Sequence, residues 1–229
     1  HASLTAASYS PLRLIGLGMS AMLVPLSSTM IVVALPAMGA EFARTPGELT
    51  LWLVNSYLLM NIVALGPGGK LGDHWGYKNT LRLGQGMFGL GCMLPILFHQ
   101  FEAVVASRIL MALGGAMMVP NVMAVFKITV PEEKRHRVFG YFSGMMGFAA
   151  ALGPSLGGLL VQHFGWGAIF LMNLPPLALS IFFSVGFFRN SLYEPPPQAF
   201  RFDWTGTVLL AAGLLCLAIG LQDRPLLWA

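Results

Sequence analysis

The chain has 229 residues, of which 56% are hydrophobic and only 10% charged, and its mean hydropathy is +0.71. Soluble domains carry roughly a quarter of their residues as Asp, Glu, Lys and Arg, so this composition excludes a water-solvated globule and makes lipid the solvent for most of the surface. The formal net charge of +4 is not spread as a nucleic-acid footprint, and no nucleic-acid partner is expected.

About 20 mainly apolar residues cross a bilayer core as a helix. By that rule seven spans are predicted: 12–37, 48–68, 80–99, 102–126, 137–162, 167–188 and 204–221. The runs are long and continuous, without the alternation of membrane strands, so helices are preferred to a barrel. The chain starts at His1, which reads as a processed or incomplete start, and the first span is not read as a cleaved signal peptide. The short "HFGWG" stretch makes the fifth and sixth spans a tight hairpin.

The basic residues sort the loops. Arg13, Lys70, Lys78, Arg82, Lys127, Lys134, Arg135, Arg137, Arg189 and Arg201 fall on one side of an alternating path, and only Arg44 and Arg224 on the other. The positive-inside rule then predicts a cytoplasmic N-terminus in a plasma (bacterial-type inner) membrane. Three consecutive prolines in "RNSLYEPPPQAFRFDW" cannot continue a helix. The expected organisation is therefore a six-helix transmembrane bundle over 1–188, a cytoplasmic linker over 189–203, and a seventh helix with a short outer tail over 204–229.

In the first span, "PLSSTMIVVALP" places Ser27, Ser28 and Thr29 inside an apolar run. They are either a polar pathway or small residues that let helices pack. In the second, Asn55, Tyr57 and Asn61 are available to line a cavity or to bond neighbouring helices. The loop "GGKLGDHWGYK" follows, where Gly69, Gly72 and Gly76 permit a tight turn around Asp73, Lys70 and Lys78. Asp73 can accept hydrogen bonds from a neighbouring helix N-terminus and latch one conformation, or simply sit in a solvated turn.

Arg108 lies about five residues, or roughly 8 Å, inside the fourth span. Two readings stand for it: facing a central cavity where it attracts an anionic group, or reaching back to the outer interface. Asn121 and Asn173 are further polar candidates. Met111, Met117, Met118, Met145 and Met146 form either an adaptable apolar pocket or gap-filling packing. In the fifth span Gly140, Gly144, Gly147, Ala151, Pro154 and Gly158 recur at spacings of four and three. Such a stripe lets membrane helices approach closely, and Pro154 can bend the helix. Cys92 and Cys216 are far apart, His99 and His163 have no paired ligand spacing, and no nucleophile–base pair or phosphate loop occurs. No metal, cofactor or enzymatic activity is expected.

These motifs together resemble the major facilitator superfamily. Gly69, Leu71, Asp73, Gly76 and Lys78 match its signature between the second and third helices, with His74 and Tyr77 where basic residues are usual. "ALGPSLGGLL", with Gly153, Pro154, Gly157 and Gly158, looks like its antiporter motif. "LWLVNSYLLM", "WGAIFLMNLPP" and "FRFDWTGTVLLAAGLL" are similar to segments of the fourteen-helix drug:proton antiporter branch. The resemblance covers nearly the whole chain, as the first half of such a protein plus one central helix. It implies a multidrug-efflux-like secondary transporter working by alternating access. Asp73 and Lys78 then gate the cytoplasmic side, and Ser27, Asn55, Tyr57, Arg108 and Asn121 line or couple the cavity. The implied partners are membrane lipids, a small amphipathic substrate, and a second bundle or other membrane subunits.

The chain also departs from that pattern. Ser27 stands where the branch has an acid, Val32 where it has Asn, and Met111 where it has Gln. Every Asp and Glu falls in a loop or at a span end, although proton coupling normally needs a titratable group within the membrane. The alternative expectation is a transport-inactive, transporter-derived structural subunit of a larger membrane complex.

Overall fold

A computed structural model describes residues 11–189 and the isolated positions 206, 209, 212, 213 and 216. Apart from those positions, the expected linker beyond Arg189 and the seventh span lie outside the described residues. Within them the chain forms six long helices and no strand: α1 (Pro11–Phe42), α2 (Pro46–Trp75), α3 (Tyr77–Leu97), α4 (Phe101–Thr129), α5 (Glu132–Phe164) and α6 (Leu174–Arg189). A helical turn at Ala168–Leu171 leads into α6.

The connections are short because each end is specified locally. α1 stops where Ala43 takes φ 51°, and α2 starts with a capping box of Thr45 and Glu48 followed by Pro46. α2 and α5 end at Gly76 (φ 89°) and Gly165 (φ 80°), a backbone region where a side chain is strained. Neighbouring helices therefore run antiparallel. Lys70, Lys78, Lys127 and Lys134 gather at one end of the bundle, and Glu41, Arg44, Glu48 and His99 at the other.

Four helices, α1, α2, α4 and α5, are long and apolar enough to cross a membrane by length and composition. α3 carries Lys78, Arg82 and Gln85 and falls short in hydropathy, whereas the apolar stretch Ala168–Ser184 is shorter. The helices also outrun the predicted spans. α2 continues through Gly69 and Gly72 to Trp75, so the turn expected over 69–79 shrinks to Gly76 alone. Glycine is tolerated inside membrane helices, where backbone groups have no water to bond and stay in the helix.

α1 and α4 occupy the middle. α1 packs on α4, α5 and α6, while α4 packs on α2 and α3. Interhelical approach is closest where glycine removes the side chain. A Cβ on Gly114 of α4 would lie 2.6 Å from the Gly84 carbonyl oxygen of α3. Without a hydrophobic drive between helices in lipid, such van der Waals packing holds the bundle.

Most of the fifth-helix stripe meets no neighbour among the described residues. Gly140, Gly144 and Gly147 have open space where a Cβ would stand, and Ala151 and Pro154 are exposed. The face that packs on α1 carries Phe142, Ala149, Gly153 and Gly157. Glycines at helical spacing occur on both faces of α5, and spacing alone does not say which face meets a neighbour.

Candidate functional site

Midway along α1 the three hydroxyls bond to the preceding turn. Ser27 Oγ donates to the Val24 carbonyl at 3.1 Å, Ser28 Oγ to the same carbonyl at 2.9 Å, and Thr29 Oγ1 to the Pro25 carbonyl at 3.0 Å. This satisfies each hydroxyl without water. Tyr57 Oη of α2 donates to the Val24 carbonyl as well, at 3.3 Å, so one carbonyl of α1 ties two helices together.

Arg108 joins this knot from α4. It is only 1% exposed, which removes the reading in which it reaches the outer interface. Its Nε donates to the Leu53 carbonyl at 2.9 Å, and its guanidinium carbon lies 3.9 Å from the centre of the Tyr57 ring. Leu53 belongs to a π-helical turn, Thr50–Asn55, inside α2. Such turns alter the carbonyl-to-amide register and recur at functional sites. Stacking on the ring and one carbonyl offset part of the cost of burying the cation.

A tight crevice beside the guanidinium is lined by Ser27, Met30, Arg108, Met111 and Asn173. Among the described residues Arg108 Nη2 and Asn173 Oδ1 have no hydrogen-bond partner, and none of the lining residues is an acid. The buried cation therefore meets no counter-charge in its own crevice. Met111 and Met118 are fully buried in the core, and Met117, Met145 and Met146 are half-buried.

The α5 motif reaches the same stretch of α1 from the opposite side. A Cβ on Gly153 would collide with Thr29 Oγ1, and one on Gly157 would stand 3.2 Å from the Met30 Cα. Ser27, Tyr57 and Arg108 thus come together with Gly153 and Gly157 around residues 24–30 of α1. Pro154 points away and Gly158 lies near Val33, its Cβ position 3.7 Å from a Val33 methyl. Asn55 closes the π turn and is half-buried.

Asn121 belongs elsewhere. Its Nδ2 donates to the Gly68 carbonyl at 3.0 Å and to the Met117 carbonyl at 2.6 Å, and Gly72 has no room for a side chain against it. It clamps α4 to the last turns of α2, so the gating motif and Asn121 form a second cluster at the lysine-rich end. There Gly69 and Leu71 are half-buried within α2, and Asp73 is exposed on its last turn. Tyr77 Oη in the first turn of α3 donates to Asp73 Oδ1 at 2.8 Å, and Lys78 is half-buried beside it. The acid meets a neighbouring helix through a side chain, where a backbone N–H was the expected donor.

Sequence reasoning did not foresee two features: the Leu53 carbonyl, freed by a π turn no motif announces, and the contact of Thr29 with Gly153. Thr29 and Asn173 stood out as polar residues inside apolar runs, but spacing did not say what each would meet.

The chain is 34% identical over 212 residues to the tetracenomycin C resistance and export protein of Streptomyces glaucescens, covering 93% of this chain and 39% of that protein. It is 37% identical over 153 residues to the methyl viologen resistance protein SmvA of Salmonella typhimurium, covering 66% of this chain and 31% of that protein. Multidrug resistance protein 3 of Bacillus subtilis is 28% identical over 91% of this chain and 39% of its own length. The chain thus spans less than half the length of these curated relatives. In fold it is similar to a crystal structure of the peptide transporter POT in complex with sulfate, with a TM-score of 0.73 over 98% of this chain and 50% of that one, at 19–20% identity. The family model described as Major Facilitator Superfamily matches residues 17–227, and the chain belongs to that superfamily.

Proposed function

We propose that this chain forms the first bundle of a secondary transporter that exports amphipathic organic molecules by alternating access. The observation that carries the reading is the unequal burial of its helices. In the most apolar windows of α1 and α4, 44% and 56% of residues are buried, against 17% in α2 and in α5. α2 holds the Arg108 guanidinium through Leu53 and Tyr57, α5 packs on the other side of α1, and both leave long faces uncovered, as a bundle that rocks against a second one requires. Arg108 Nη2 and Asn173 Oδ1 supply an unfilled donor and acceptor beside the expected midplane cavity.

The relatives' names, which speak of tetracenomycin C, methyl viologen and multidrug resistance, support an amphipathic organic substrate and export as its direction. In this reading the lysine-rich end and the N-terminus face the cytoplasm of a plasma membrane, Asp73, Tyr77 and Lys78 act at the cytoplasmic gate, and Gly153 and Gly157 keep α5 against α1 during the motion. Membrane lipids and a second bundle are the partners.

The test is drug susceptibility. Cells expressing the complete protein encoded by the reading frame that contains this chain are expected to tolerate several-fold more of an amphipathic organic toxicant than control cells. Equal susceptibility across a broad panel would argue against export.

One observation favours a second reading, a transport-inactive subunit of a membrane complex. Ser27 is buried and bonded to its own helix, and it occupies the position where the resemblance expects an acid. A protein that co-purifies with other membrane subunits and gives no flux would support it.

A further inference from the structure

The end of the bundle opposite the lysine-rich loops holds an open groove of about 610 Å³ between the ends of α1, α3 and α5 and the start of α6. The transport reading does not use it. Its floor is Trp166, 5% exposed, whose ring lies 5.5 Å from Phe42 and 6.1 Å from His99 between centroids. Its walls are apolar: Ile96 from α3, Leu160 from α5, then Leu171 and Pro175. Leu171 is 55% exposed and Phe164 78%, so the walls continue into the lipid-facing surface.

The mouth of the groove carries one acid. Glu41 Oε2 accepts a hydrogen bond from Trp166 Nε1 at 2.6 Å, which fixes the carboxylate at the rim. Among the described residues Glu41 meets no cationic side chain. Arg44, one turn along, pairs with Glu48 at 3.7 Å and stacks over Phe101 at 5.0 Å. An oriented, unneutralised carboxylate beside aromatic rings is the chemistry that holds an ammonium group. A groove with such a mouth and lipid-facing apolar walls matches a molecule with a cationic head and a long hydrocarbon tail.

We propose that this groove seats an aminophospholipid of the adjoining leaflet, with its primary ammonium on Glu41 and an acyl chain along Leu160 and Leu171. The reading is independent of transport. It requires only that this end of the bundle meets a lipid headgroup layer.

The experiment uses the purified complete protein, with lipid adducts counted by native mass spectrometry after exchange into mixed micelles of phosphatidylethanolamine and phosphatidylglycerol. Glu41→Gln keeps an acceptor for Trp166 and removes only the charge, so the bundle is expected to stay intact. The wild type should retain phosphatidylethanolamine in preference to phosphatidylglycerol, and Glu41→Gln should lose that preference about tenfold, the size of one charge-assisted contact. Glu48→Gln, at the same end but outside the groove, should keep it. Ala168→Trp, which fills the groove without touching the charge, should also release the lipid and keeps the test open should Glu41→Gln fail to fold. Equal retention of both lipids by the wild type, or an unchanged preference in Glu41→Gln, would overturn the proposal. So would displacement of the adduct by dodecyltrimethylammonium at concentrations where phosphatidylethanolamine does not compete, which would identify a soluble organic cation as the occupant.

Discussion

Arg108 is the one buried charged side chain among the described residues, and a buried cation needs either a counter-charge or several acceptors. It has one carbonyl, one aromatic face and one empty Nη2 position. Replacing it with Met removes the charge and preserves most of the volume, so we expect thermal unfolding within a few degrees of wild type. Transport should fall by about ten- to a hundredfold, the value of a charged hydrogen bond to substrate or to the second bundle. Gly153 and Gly144 give a packing contrast at the same scale. Gly153→Val forces a side chain into Thr29 and should cost about 1–3 kcal/mol in unfolding measured by tryptophan fluorescence. Gly144→Val meets open space and should stay within about 0.5 kcal/mol. Sequence identified Arg108 as the intramembrane charge, because a guanidinium inside an apolar run stands out. It left open which way the side chain points. The answer depends on the Leu53 carbonyl, and no residue type encodes a backbone acceptor released by a π turn.

Among the elements, α2 departs most from its predicted form. It was expected to end near residue 68 and instead runs to Trp75, held against α4 by Asn121. Three glycines in eight residues signal a turn in water, yet in lipid such glycines signal close approach: Gly68 and Gly72 lie under Ala116 and Asn121. The turn chemistry survives only at Gly76, the single position of this set with positive φ. Asn121→Ala should therefore weaken the α2–α4 contact by about 0.6–2 kcal/mol, the range of interhelical hydrogen bonds in membranes. Hydrogen exchange of residues 68–75 should accelerate, while that of α5 should not change. The loop motif was legible as a spaced pattern of Gly, Asp and Lys, but its mechanical partner fifty residues away was not, since nothing in local spacing pairs Gly68 with Asn121.

For the whole molecule, composition and loop charge predicted seven spans, and the six that fall on described residues are helical and follow an alternating path. Hydrophobic runs of this length have few other solutions. What they leave undetermined is which apolar faces meet protein and which meet lipid, since both are apolar. The open glycines of α5 show the consequence: Gly140, Gly144 and Gly147 read as a stripe for close helix approach, and they face outward from this bundle. If that face serves a second bundle, Gly147→Trp should abolish transport with the fold retained. Leu90→Trp, at a 62% exposed position on α3, should be silent. Transport by Gly147→Trp at the wild-type rate would place that face in lipid.

The most direct measurement is proton-gradient-driven uptake of an amphipathic fluorescent organic molecule into inverted membrane vesicles holding the complete protein, compared with its Arg108→Met variant. The account predicts accumulation against the gradient in the wild type, and at least a tenfold lower rate in the variant at equal protein level. Equal rates in the two would remove Arg108 from the mechanism, and no flux from correctly folded wild-type protein would contradict the transporter reading itself.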